Sequence, residues 1–324
     1  MWLLSTDHLE LVHFDRFDQV PGGYAILSHV WQASEQSFQE VQELQIAGTP
    51  YDDPILSAKI RGCVQAAKTH GLDWLWIDAS CIDKKSSAEL SEAINSMFSW
   101  YAEAQICYAY LQDVPNSCLL NSPGSAFRAS RWFTRGWTLQ ELIAPRCLVF
   151  LSSEWTHLGT KASLAPLLSE ITGIDIEVLT NRRELQQVSV ARRMSWASKR
   201  QTTRVEDEAY SLMGLFGITM PTIYGEGGEA FRRLQEQIMK HSSDQTLFAW
   251  GQVLPPDLTR TCLSRDIGNA IGTLLAPSPH AFVESVDYRS IPPSRMASAT
   301  SHSMQVPSGD SFVCVITLIE KCMA

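Results

Sequence analysis

Four short apolar runs, each followed by residues with helical spacing, constrain the fold of this chain more than any other feature. They lie at Tyr24–Ser28, Asp73–Asp78, Ile106–Leu111 and Cys147–Leu151. Runs this short and this apolar read as strands buried on both faces rather than one. Helical spacing intervenes each time. Asp52-Asp53-Pro54 reads as a helix start, with an acidic cap and proline at the first helical position. Leu56, Ile60, Cys63, Val64 and Ala67 then repeat at helical intervals until Gly71. Ser86 and Glu89 form a capping box, opening a helix with Leu90, Ile94, Met97, Phe98 and Tyr101 on one face. The segment Arg131–Pro145 reads as a third helix stopped by its proline, and a fourth is expected near 161–172. Strand–helix alternation of this kind predicts an α/β fold, a parallel sheet covered by helices on both sides.

The flanks are simpler. Residues 1–20 read as a small hairpin, Trp2–Leu4 with Leu9–Phe14 around the turn Ser5–His8. Residues 188–241 read as mostly helical, with a glycine turn at Tyr224–Phe231 opening the last helix. Those glycines lack the Lys-Ser/Thr ending of a phosphate loop, so they read as a helix entry. Past Trp250 the composition shifts to Pro, Ser and Thr; 286–310 reads as a loose linker and Ser311–Ile319 as a strand. The expected organisation is an α/β domain over 1–180, a helical C-terminal extension over 181–250, and a linker with a partial β segment over 251–324.

With 324 residues, 45% hydrophobic and 19% charged, the chain can bury a substantial core. Its net charge of −9 comes without any basic run, which argues against nucleic acid as a partner. No stretch approaches a membrane-spanning length, and the N-terminus lacks the basic and apolar regions of a signal peptide. Eight scattered cysteines, none in a Cys-x-x-Cys pair, predict reduced thiols in a cytoplasmic protein. The histidines show no ligand spacing, so no metal is expected.

Ligands of parallel α/β sheets bind beyond the strand C-termini. The expected sheet delivers Ser28, His29 and Trp31 there from the first strand, Asp78 and the 79–87 loop from the second, Asp113 from the third, and the start of the Glu141 segment. In that segment Glu141 stands among Leu139, Leu142 and Ile143, with Trp137 one helical turn away. A carboxylate in such surroundings has a raised pKa or stands ready for a cationic transition state. The alternative is that it pairs with Arg131 or Arg135 and ties the helix down. Ser28, His29 and Trp31 either touch a ligand or form a packed turn; Asp78 and Asp83 either bind hydroxyls or cap the second loop; Lys84 and Lys85 either meet phosphate or are solvated. No Gly-x-Ser-x-Gly elbow supports a serine hydrolase, and Cys81 has no evident histidine partner.

Several long motifs carry a resemblance. Residues Tyr24–Trp31, Trp76–Lys84, Ser87–Phe98 and Arg131–Leu142, followed by Ser195–Ser198, Thr203–Tyr210 and Tyr224–Gly227, resemble the fungal heterokaryon incompatibility (HET) domain over about residues 1–250. Gln32 departs from the glycine that the family usually has after the Trp of the first motif. The HET domain is in turn similar to Toll/interleukin receptor (TIR) domains, which implies a flavodoxin-like parallel sheet. The plant TIR pattern Trp-Cys-Leu-x-Glu-Leu is similar to Trp137–Leu142, with Thr138 in place of Cys. The resemblance implies an effector of fungal programmed cell death, with Glu141 as the catalytic carboxylate of NAD cleavage. Ser28, His29, Trp31, Asp78, Asp83, Arg135 and Trp137 would line the nucleotide site. NAD is then a substrate and no further cofactor is expected. Self-association or an incompatibility partner protein would complete the site. The alternative is a non-enzymatic adaptor that uses the fold to assemble partners.

Overall fold

The computed structural model describes residues 1–251 and 274–288. Its centre is a seven-stranded mixed sheet: β1 (Trp2–Ser5), β2 (Leu11–His13), β3 (Ala25–His29), β4 (Trp74–Trp76), β5 (Ile106–Tyr110), β6 (Leu148–Leu151) and β7 (His157–Thr160). Their order across the sheet is β2-β1-β4-β3-β5-β6-β7. The four apolar runs form the parallel centre, β4-β3-β5-β6, and all five residues of β3 are buried. Taken by themselves, these strands follow the order second–first–third–fourth, the start of the flavodoxin-like order. The connection from β3 to β4 and those from β4 to β5 and β5 to β6 therefore run in opposite directions across the sheet, and its crevice opens between the C-terminal ends of β3 and β5.

Antiparallel edges complete the sheet. The N-terminal hairpin forms as expected, with Trp2 opposite His13, and β1 then lies antiparallel to β4. The other edge, β7, returns against β6 after a tight turn in which Trp155 takes a positive φ of 62°. The Trp155 ring stacks on Tyr110 at 4.4 Å. It also presses on Gly62, where an added Cβ would stand 2.2 Å from the indole.

Helices cover the sheet: α1 (Phe38–Ile46), α2 (Ala58–Thr69), the single turn α3 (Asp78–Cys81), α4 (Ser87–Glu103), α5 (Thr138–Ile143), α6 (Ala165–Thr172) and α7 (Ile176–Leu179). Tyr108 of β5 reaches the Ala66 carbonyl of α2 at 3.1 Å. On the opposite face Trp76 of β4 meets Trp100 and Tyr101 of α4 edge-on, with ring centroids 5.7 and 5.8 Å apart. The Ser86 cap of α4 is as expected from its sequence.

Three local expectations are corrected. The polar connection after β3 contains a helix, α1, whose capping box is Ser37 with Glu40. The helix after it starts at Ser57 rather than at Asp52–Pro54, because the Asp53 side chain accepts the Ile55 amide and closes a separate turn. The third correction concerns Arg131–Pro145, which is not one helix. Arg131–Thr134 is a 3₁₀ turn, Arg135 is extended, and only Thr138–Ile143 is α-helical. The break comes from pairing with a distant segment: the Gly136 amide donates to the Gln201 carbonyl (2.8 Å) and the Gln201 amide to that of Thr134 (2.7 Å).

Beyond these come α8 (Val190–Ala197), α9 (Asp207–Tyr210), α10 (Met213–Phe216) and α11 (Glu229–His241). The chain divides into two compact units. The first holds residues 1–185 and 200–230; the second holds residues 186–199 and the described residues after 230. In the second unit, Ser189 caps α8 and donates its hydroxyl to the Tyr288 carbonyl at 2.6 Å. Among the described residues, no helix is long and apolar enough to cross a membrane. The expected strand at 311–319 and nearly all of the expected linker at 286–310 lie outside the described residues.

Candidate functional site

At the C-terminal end of β3, successive side chains point to opposite faces of the sheet, so Ser28 and His29 found two separate clusters. Ser28 faces α4 and α5. It accepts a hydrogen bond from the Trp132 indole N–H (2.8 Å) and donates its own hydroxyl proton to Glu141 Oε2. Trp132, Ser28 and Glu141 are all buried, and Glu141 is only 6% exposed. Tyr101 of α4 donates its single hydroxyl proton to the Leu27 carbonyl at 2.9 Å. Its oxygen is also in contact with Glu141. Burial pushes the Glu141 carboxyl up to about 8, the Asp78 charge adds to the rise, and Ser28, Tyr101 and Arg200 oppose it.

Arg200 is the fixed cation of this cluster. It is buried and donates at 2.9 Å to both the Arg135 carbonyl and Thr138 Oγ1. It thereby clamps the turn that leads into α5. Burial lowers its pKa and the Glu141 charge counters this; a guanidinium nevertheless stays protonated at neutral pH. At the other end of α5, the buried Lys161 donates to the carbonyls of Ile143 (3.1 Å) and Pro145. A cation is favoured at that end by the helix dipole. The six-residue helix carrying Glu141 is thus held at both termini by buried cations.

His29 heads the second cluster. Its Nε2 lies 3.6 Å from Glu35 Oε2 and 3.8 Å from Asp78 Oδ1, both beyond hydrogen-bond range. Lys59 of α2 donates to Glu35 Oε1, as does the Gln32 amide at 2.8 Å. Burial by itself would raise the Glu35 carboxyl, but the His29 ring, Lys59 and the Gln32 amide outweigh it and hold the group at about 2. Asp78 accepts the Ala79 amide at the start of α3 (2.7 Å) and the Trp31 indole N–H (2.6 Å). Trp31 is 45% exposed, and the Lys84 ammonium sits over its ring, 3.6 Å from the centroid.

Of the residues expected at the sheet edge, Ser28, His29, Trp31, Asp78 and Glu141 gather around the end of β3. The other three stand elsewhere. Asp83 accepts from Gln39 (2.6 Å) and from the Lys85 amide (2.9 Å) in the turn before α4. Arg135 donates both Nη groups to Thr203 (3.2 Å each), and Trp137 lies beside Asp207, where its indole holds down the rise that burial causes in the carboxyl. The break before α5 turns Trp137 toward Asp207, so the indole joined to Glu141 through Ser28 is Trp132. The opening Arg131 meets Asp113 through its backbone amide (2.8 Å). Arg200, Tyr101, Glu35 and Lys59 were not foreseen. Only Tyr101 had a signal, its place on the inner face of α4.

The glycine turn has its own occupant. The amides of Gly225 (2.7 Å) and Gly227 (3.0 Å) both donate to Glu206 Oε1, so an internal carboxylate fills the position an anion would take. The Cys81 thiol donates weakly to the Leu75 carbonyl (3.8 Å), and burial pushes it up to about 12, so it remains a protonated thiol.

Comparison with known proteins fits this architecture. Residues 24–122 match the Heterokaryon incompatibility protein (HET) family, a span that holds β3, β4, β5 and the whole His29 cluster. Glu141 lies beyond it. Residues 229–310 match a domain of unknown function, DUF8212. The chain is 44% identical over 226 residues to the Vegetative incompatibility protein HET-E-1 of Podospora anserina. That alignment takes in 67% of this chain but only 16% of the relative, so the chain corresponds to a small part of that protein's length. No solved structure matches the chain. The family match and the 44% identity to the Podospora protein together place this chain among the heterokaryon incompatibility (HET) domain proteins.

Proposed function

We propose that this chain acts in the cytoplasm as a vegetative incompatibility effector that triggers cell death by cleaving the nicotinamide–ribose bond of NAD. Glu141 is the central carboxylate of that reading. The name of the Podospora relative supports the incompatibility role. The observation that carries the chemistry is the Ser28–Glu141 contact: a desolvated carboxyl group held at the end of β3, beside the crevice of the sheet.

The reaction asks little of the protein beyond charge placement. Nicotinamide leaves with the electron pair of the C1′–N bond, water adds to C1′, and one proton is released. The transition state resembles an oxocarbenium ion. A desolvated carboxylate next to C1′ stabilises that charge far more than one in water would. At rest Glu141 is protonated at neutral pH, because burial holds its pKa near 8. A substrate that brings positive charge to the site lowers that pKa and draws the proton off. Ser28 then remains as a donor to the carboxylate, and Arg200 balances its charge. Cyclisation of the nucleotide would use the same carboxylate. Self-association, or an incompatibility partner, supplies the remaining groups of the site.

One observation favours the rival reading, an assembly adaptor without enzymatic activity. Glu141 is nearly inaccessible and its oxygens are used by Ser28 and Tyr101, as a purely structural carboxyl group would be. Nicotinamide release by the concentrated, purified full chain separates the two. Release by the parent and none by Glu141→Gln is expected. Equal release by both, or none by either at any concentration, rejects the enzymatic reading.

A further inference from the structure

The outer cluster around Trp31 has the composition of a cation site already holding a cation. An aromatic face attracts positive charge through its quadrupole, and a carboxylate at its rim strengthens the attraction. Trp31 offers such a face at the surface, and Asp78 fixes the ring by accepting its N–H at 2.6 Å. The group on that face is the Lys84 ammonium, 3.6 Å from the ring centroid. Asp78 and Glu35 both act on this ammonium electrostatically, but among the described residues no carboxylate lies within ion-pair distance of it. Glu35 is occupied by Lys59. Lys84 is therefore held chiefly by the indole and by the attraction of Asp78. It comes from the loop before α4, at the end of a flexible stem.

We infer that the exposed face of Trp31, framed by Asp78, is a subsite for a planar organic cation of the pyridinium class, and that Lys84 is its built-in competitor. A flat aromatic cation fits the indole better than an ammonium does, because it adds stacking area to the same electrostatic attraction. When such a ring takes the face, Lys84 swings into solvent, its charge no longer held against the indole. The buried His29 ring lies 3.8 Å from Asp78 Oδ1, the carboxylate that frames the subsite. The inference rests on the proposed NAD reading for the class of its ligand, while the subsite itself belongs to the His29 cluster, apart from Ser28 and Glu141. It makes Lys84 a determinant of affinity rather than of bond cleavage.

The test is calorimetric titration of the full chain with N-methylpyridinium at pH 7.5, with pyridine, neutral at that pH, as the uncharged aromatic control. Lys84→Met is expected to bind the cation about two- to fivefold more tightly than the parent, the change that corresponds to an exposed cation–π contact of about 0.5–1 kcal/mol. Pyridine should gain less. Adding Trp31→Leu to Lys84→Met should abolish the gain, and Asp78→Asn should weaken cation binding with Trp31 still present. Equal affinity of parent and Lys84→Met would overturn the inference, as would an equal gain for pyridine or a gain that survives Trp31→Leu. Binding is read here without turnover. A chain that binds the cation as expected but releases no nicotinamide would refute the cleavage reading alone, and the converse result would refute this inference alone.

Discussion

Ser28 donates its hydroxyl proton to Glu141, a residue 113 positions further along the chain, and does so at the C-terminal end of the central strand β3. Because Trp132 donates to the same hydroxyl, the direction of the chain of hydrogen bonds is fixed: indole to serine to carboxyl. Removing the middle member leaves a buried indole N–H and a buried carboxyl oxygen unpaired. Ser28→Ala should therefore lower stability by about 1–3 kcal/mol, measurable by urea unfolding. The Ser28 contact also lowers the Glu141 pKa. The variant should move any pH–rate profile that depends on ionised Glu141 toward alkaline pH.

Glu141 also sets a stability trend with a definite sign. Its carboxyl lies near 8 in the folded chain and at an ordinary 4.5 when unfolded. Between those values the folded state holds a proton that the unfolded state has lost, so stability falls as pH rises through this window. Glu141→Gln is neutral throughout and escapes the trend. Thermal unfolding should show the variant close to the parent near pH 4.5, with its relative stability increasing toward pH 8. A constant difference across that range would mean that Glu141 is ionised in the fold. If the cleavage reading holds, kcat/KM of the parent rises with pH through the same value near 8.

Glu35 runs the other way. It is held at about 2 in the fold, so its contribution is complete above its ordinary pKa and is lost as pH falls from 4.5 toward 2. Its partner Lys59 is buried, and the Glu35 side chain is largely shielded beside it. Breaking a buried pair from one side strands the other charge and typically costs about 3–5 kcal/mol. Glu35→Gln and Lys59→Met should each be strongly destabilising by chemical denaturation, whereas the double variant recovers most of the loss. Additive losses would show that the two side chains do not act as a pair.

A tight approach between helices supplies a fourth expectation. A Cβ built on Gly214 of α10 would stand 2.2 Å from Cβ of Phe98 on α4. Such a clash forces the helices apart, and overfilling a well-packed core costs about 1–3 kcal/mol. Gly214→Ala should lower the melting temperature measurably. Phe98→Ala does not relieve this clash, because alanine keeps the Cβ that stands in the way.

The fold was largely legible because its strands are the apolar runs themselves. Tyr24–Ser28 and Ile106–Leu111 could hardly be anything but central strands, and alternation with helices dictated parallel pairing. The helix at Phe38–Ile46 escaped notice because it buries only Phe38 and Val41 and shows little periodicity beyond its capping box. Glu141 stood out because a carboxylate among leucines is conspicuous in any sequence. Its surroundings did not. The break at Arg135–Gly136 depends on hydrogen bonds with Gln201, and Arg200 arrives from the same distant strand of chain. Local spacing carries no trace of either. For the same reason Trp137 looked like the natural neighbour of Glu141, while the three-dimensional arrangement gives Trp132 that place. Glu35 and Lys59, 24 residues apart, meet only because α2 folds back beside the loop after β3.

The central claim is that Glu141 spends NAD. Its most direct test is NAD content followed over time in cells induced to express this chain, beside cells expressing Glu141→Gln at matched protein level. The account predicts depletion preceding death with the parent, and neither with the variant. Death with undiminished NAD in both would contradict it and leave an assembly adaptor as the function of the fold.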